Sequence, residues 1–268
     1  MSLFRLEFLR VCRSATYIAA VAALVLFAYF QQVFPPNARI AAAGEAAGEV
    51  EICVLPAEEY ALVRDLDRFS GAHARLFASR VGGALAVLCP FPAAALFWHD
   101  RRACRAAIYA RGISSLKLVL CRCAALTAAM LLPVTVMALT LTCVAAMDYG
   151  LASIDLLAYG KYALLWLLPT ILLATGLGAL PTALTGLPLG PLLALLWGWM
   201  AKNGPAFDYA ALFAPRHEAL GGTACFLEHL GALARGRVLA ALLGLALFVL
   251  TAFIVEAKRR GTFGPRKS

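Results

Sequence analysis

Charged residues make up only 15% of this 268-residue chain, against roughly 25% in soluble domains, and several long apolar runs carry none at all. No apolar run contains an aspartate or glutamate, which argues against a proton relay or an ion-coupled carrier, since those depend on carboxylates held in the membrane. There is no GxxxxGK[ST] loop to cradle a nucleotide's phosphates. The four histidines, His73, His99, His217 and His229, lie outside the apolar runs and form no HExxH pair. A buried nucleophile with its base, as an intramembrane hydrolase needs, is missing as well. The pattern therefore predicts a chain that is not an enzyme and carries no cofactor of its own. The eight cysteines show no zinc spacing: Cys121 and Cys123 are one residue apart and face different directions on a helix.

What is present is apolar. Hydrophobic residues make up 62% of the chain and mean hydropathy is +0.81, the composition of a multi-span helical membrane protein. The expected fold class is an all-α integral membrane protein, one transmembrane domain over 1–268, with six transmembrane helices and an N-terminal interfacial amphipathic helix. Met1 to Ser14 interleaves Leu3, Phe4, Phe8, Leu9 and Val11 with Arg5, Glu7, Arg10 and Arg13, a pattern suited to a helix lying along the headgroups. A solvated basic leader is the plainer alternative.

The first expected span is 17–34. Ala41 to Ala43 resembles a signal-peptide cleavage site, but it lies too far past the apolar core, and more apolar segments follow. The stretch 35–80 is an outer loop with seven acidic residues from Glu45 to Asp67 and five arginines from Arg39 to Arg80, helical from Glu58 onward and too short for an enzymatic domain. The second span, 81–98, contains Pro90 and Pro92, which remove backbone donors and predict a kink. The third, 118–147, contains Pro133 and, one turn from its start, Arg122. An arginine so placed is expected to snorkel to the headgroups.

After a short outer connection at 148–161, residues 162–201 run for 40 positions without a formal charge, too long for one crossing at about 1.5 Å per residue. The turn-forming PTALTGLPLG at Pro181 to Gly190 divides them into a fourth span, 162–180, and a fifth, 187–201. An outer loop at 202–237 and a sixth span at 238–255 complete the chain.

With six crossings, both termini share a side with the basic connection 99–117. That side holds 14 of the 24 basic residues and 3 of the 15 acidic ones, a net of +11, which leaves −2 for the other. The positive-inside rule puts the basic side in the cytosol. The whole net charge of +9 is explained without nucleic acid, and the expected location is the cell membrane of a bacterium. Cys53 and Cys225 then fall in different outer loops and could form a disulfide if that face is oxidising.

The connection carries the most specific pattern in the chain. DRRACRAAIYARGISSLKLVLCRCAAL, Asp100 to Leu126, resembles the cytosolic loop and following helix of type-2 ATP-binding-cassette (ABC) transporter permeases. Agreeing in order with that family are the amphipathic N-terminal helix, the six spans, Pro169 in the fourth, an outer segment before the last and a basic C-terminus. The resemblance implies a coupling helix that docks on a separate ABC ATPase subunit, where ATP and Mg would be held. Asp100, Arg101 and Arg102 would open it, Arg105 and Tyr109 would lie on its docking face, and Arg111, Ser114 and Ser115 would end it. Ser114 or Ser115 also suits the N-cap of a helix starting near Leu116. Many relatives carry an acidic residue near Ala107 and a proline at Gly112, so the departures here imply a partner ATPase with a more acidic groove. The resemblance further implies a second permease subunit, identical or paralogous, and a path lined by the first, second and fifth spans. The alternative is a non-transporting membrane anchor or immunity factor whose basic connection binds anionic lipid or a regulator.

Overall fold

The computed structural model describes residues 3–31, 38–42, 51–103, 114–203 and 222–261. It is a helical bundle. The N-terminal helix α1 (Leu3–Cys12) turns through 62° into α2 (Ala15–Phe30). Ser14 makes this elbow: its hydroxyl accepts from Tyr17 N at 3.3 Å and donates to Val11 O at 2.8 Å, capping one helix while closing the other. After α2 come two short strands, β1 (Ala38–Ala42) and β2 (Glu51–Leu55), paired in parallel with Ala38 opposite Glu51. Nothing in the acidic 35–80 segment announces this pair. Its buried residues Ile40 and Leu55 pack with Val63, Phe69 and Ala72.

Helix α3 (Ala57–Leu62) leads into α4 (Arg68–Leu88), and α5 (Pro90–Ala103) follows after the single residue Cys89. Cys89 keeps helical dihedrals and its N donates to Leu85 O at 3.0 Å, so the break at the two prolines is local and Ala57–Trp98 forms one run. Helix α6 (Ser115–Tyr149) keeps Pro133 inside its 35 residues. Helix α7 (Ala158–Thr185) is continuous through a wider π-type stretch at Ala163–Leu167 and ends at Gly186, whose φ of 81° provides a left-handed stop. Helices α8 (Gly190–Asn203) and α9 (Thr223–Arg259) complete the described chain.

Helices α6, α7, α9 and the run Ala57–Trp98 are each long and apolar enough to cross a membrane, and the bent pair α1 and α2 would make a fifth crossing. Helix α8 has 14 residues, about 21 Å at 1.5 Å per residue, short of a 30 Å hydrocarbon core. The sequence pattern draws an outer loop over 202–237, but the helix of the last span already begins at Thr223.

The central core joins Leu24, Phe77, Leu85, Leu126, Met130, Tyr159 and Ile171 from four helices. Peripheral faces stay apolar: Leu239, Leu242, Leu245 and Phe253 on α9 and Leu132, Val136 and Leu139 on α6 are all exposed, as suits side chains that meet lipid. Where α7 and α9 cross, glycines let the backbones touch. A Cβ built on Gly244 would stand 2.7 Å from the backbone of Leu172 and Leu173, a small-residue contact of the kind that membrane helices use.

Candidate functional site

Helix ends group at two poles, and the basic connection belongs to one of them. Asp100, Arg101 and Arg102 lie in the last turn of α5. Arg105, Tyr109 and Arg111 fall outside the described residues. The chain is described again at Ser114, the N-cap of α6, whose Oγ accepts from Lys117 N at 3.4 Å. The cap expected from the sequence is therefore present, with the helix starting one residue earlier. Ser115, buried beside it, hydrogen-bonds the Glu256 carboxylate in the last turns of α9, and Glu256 also accepts from Arg260 Nε at 2.8 Å. Lys258 reaches across to the final carbonyls of α7, donating to Ala183 O and, at 2.6 Å, to Leu184 O. A cation at that position meets the negative end of the helix and satisfies carbonyls that have no partner within it.

Arg122 lies two turns into α6 and does not snorkel. It is 4% exposed, and its Nε donates to Glu7 Oε1 of α1 at 3.2 Å. Glu7 is itself buried and also lies 3.7 Å from Arg10. The sequence placed α1 and Arg122 separately at the headgroups of one face, and packing joins them to each other, because a buried carboxylate and a buried guanidinium each need the other. The start of α6, helix α1 and the end of α9 thus meet at one pole, where both chain ends were expected.

The opposite pole buries two arginines that the sequence pattern assigns to outer loops. Arg75 is 2% exposed. It pairs with Asp67, donates to Thr223 Oγ1 at 2.9 Å and lies 4.9 Å over the Phe226 ring. Arg237 donates to Thr170 Oγ1 at 3.0 Å and to Trp166 O at 3.5 Å, with the Trp166 ring 6.0 Å away. These contacts fasten α9 to α4 and α7. The signal available in the sequence was weak: an arginine at the edge of an apolar run, with aromatic residues distant along the chain.

The small β pair is tied down at the same pole. Tyr149 OH accepts from Ile40 N at 2.9 Å and stands 3.0 Å from His73 Nε2. Ser70 Oγ donates to Asp155 O at 3.1 Å and accepts from Asp155 N at 2.8 Å, fixing the α6–α7 connection to α4. The Lys161 ammonium holds the Asp155 carboxyl below the usual carboxylate range.

Cys225 is exposed, with Sγ 3.8 Å from His229 Nδ1. Cys53 lies in β2 with its side chain outside the described residues, so the bridge between them stands as an expectation. Among the described residues, no group of three or more His, Cys, Asp or Glu side chains converges as a metal-binding set would.

Comparisons of the chain with protein-family models, with curated proteins and with solved structures find no match. Its family is therefore argued from the residues themselves.

Proposed function

We propose that this chain is the membrane-spanning permease subunit of an ABC exporter. It forms the pathway for a hydrophobic or amphipathic cargo and is moved by a separate ATPase that grips the 99–117 connection. The observation that carries the reading is the Asp100 to Leu126 pattern, set between α5 and a capped α6 of 35 residues. Its mechanical consequence is a lever. A push on the connection is delivered to the first turn of α6, which Ser114 caps and Glu256 braces, with Glu7 holding Arg122 two turns further on. It then travels along a helix of about 52 Å at 1.5 Å per residue. Two such subunits about a two-fold axis, each above one ATPase, would alternate between inward- and outward-facing states as the ATPases close and open.

The test is co-purification in mild detergent with an ATPase encoded beside it, followed by turnover. Charge reversal of Arg101 and Arg102 is expected to lower ATP hydrolysis of the complex while membrane insertion stays intact. Unchanged turnover returns the connection to an ordinary cytosolic linker. A chain that elutes alone favours the non-transporting anchor.

A further inference from the structure

Helix α9 starts without a cap of its own. Its N-cap is Gly222, at φ 85°, and its first turn carries no acidic residue. The acceptor comes from α3 instead: Glu59 Oε1 accepts from Gly222 N, as the glutamate of a capping box does from within a helix. Its carboxylate also meets the positive end of a 37-residue helix. Asp67 adds a second hold. It accepts from Thr223 Oγ1 at 3.3 Å and pairs with Arg75, which is hydrogen-bonded to Tyr162 of α7 as well.

The piece that carries both carboxylates is thinly attached. From Ala57 to Asp67 only Val63 is buried, and Leu66 is 63% exposed. Its apolar seat consists of Val63 in the cluster with Phe69 and Ala72, and of the Tyr60 ring, 5.8 Å from that of Phe69. A segment with so few buried contacts opens at low free energy. Its joint to α4 is strained. Arg68 has φ 47° and ψ 138°, the one positive φ outside glycine among the described residues. A Cβ is disfavoured there, and such a conformation persists only where surrounding contacts impose it. The contacts on either side of the joint are those of Glu59 and Asp67 with α9, and a long bond from the Arg68 guanidinium to Ile154 O at 3.4 Å.

We propose that Ala57–Asp67 is a hinged strap across the start of α9, with Arg68 as the hinge and Glu59 as the latch. Closed, the strap caps α9 and holds its first turn against α4 and α7. When the Glu59 carboxylate leaves Gly222 N, Arg68 relaxes to negative φ, the strap lifts, and the first turn of α9 is released. The proposal does not depend on the exporter reading. In an exporter, the strap would restrain α9 at the pole opposite the basic connection.

Hydrogen–deuterium exchange of the full-length protein in mild micelles tests it, read over residues 57–67, 222–227 and 73–88. Glu59→Ala should raise exchange about tenfold, the scale of one hydrogen bond to a charged group, in the strap and in the first turn of α9 together, with 73–88 unchanged. Glu58→Ala, at the exposed neighbour, should change nothing. Arg68→Gly and Arg68→Ala both remove the guanidinium, so the difference between them isolates the hinge. At an unstrained position the glycine variant would open more readily, because glycine has more conformations to gain. Here Arg68→Gly should exchange about fivefold more slowly than Arg68→Ala across the strap, the factor expected when strain of this size is relieved. Equal or faster exchange in Arg68→Gly would overturn the proposal. So would a Glu59→Ala effect confined to 222–227, or one that spreads through 73–88.

Discussion

Replacing Glu7 with alanine takes the carboxylate away from the Arg122 guanidinium. Both side chains are less than a tenth exposed and their contact is 3.2 Å, so the relevant scale is that of a buried pair losing one member, about 3–5 kcal/mol. An exposed pair would give about 0–1 kcal/mol. Arg10 lies 3.7 Å from the same carboxylate, but it is partly exposed and adds little. The expected loss for Glu7→Ala is therefore about 3 kcal/mol, and for Glu7→Gln, which keeps a neutral acceptor, about 1–2 kcal/mol. The assay is reversible denaturation in mild micelles, followed by circular dichroism, on Glu7→Ala, Arg122→Ala and the double variant. A coupling of about 1–3 kcal/mol is expected between residues in direct contact. Glu7→Leu with Arg122→Met should recover most of the loss, because apolar replacements of a buried pair are commonly neutral or better. A coupling below about 0.5 kcal/mol, the level seen between independent sites, would mean that Arg122 reaches the headgroups alone and that α1 is not fastened to α6.

Gly244→Leu should separate α7 from α9, because even a Cβ meets the Leu172 and Leu173 backbone at 2.7 Å; overpacking of this kind costs about 1–3 kcal/mol, and Gly83→Ala, with nothing within 4 Å, is the silent control in the same denaturation assay. Ser114→Ala should cost about 0.5–1 kcal/mol through loss of the α6 cap and speed hydrogen exchange at the Lys117 amide, whereas Ser114→Asp should hold it. Asp155 gives a pH dependence whose sign follows from its depressed carboxyl. Its contact with Lys161 contributes stability that is present above the ordinary value of 3.8 and is lost as pH falls through the lower folded value. Asp155→Asn should therefore be less stable than the parent protein at neutral pH and converge with it in acid. A gap between the two that persists at low pH would refute the ion pair as its source.

Length and apolarity marked the long helices α6, α7 and α9, since a long run without charges satisfies its own backbone in lipid only as helix, but not six crossings, because the expected fifth span falls on the 14-residue α8. Charge counting along the chain also grouped the N-terminus, the basic connection and the C-terminal tail, and contacts at Glu7, Ser115 and Lys258 draw the described parts of those segments to one pole. The cap at Ser114 was legible because capping is decided by two or three neighbouring residues.

What lay beyond the sequence depended on partners far apart in the chain. Arg122 read as a snorkelling side chain because Glu7 is 115 positions away. Arg75 and Arg237 read as solvated loop residues because Asp67, Thr223, Phe226 and Thr170 come to them only when α4, α7 and α9 pack. The parallel strand pair was invisible for the same reason, since five-residue segments gain their stability from a neighbour and from the Phe69 and Tyr149 surface beneath. Local composition determined which segments leave water. Only the packed structure decided which charges enter with them, because a buried charge is tolerated by what surrounds it and not by what flanks it in sequence.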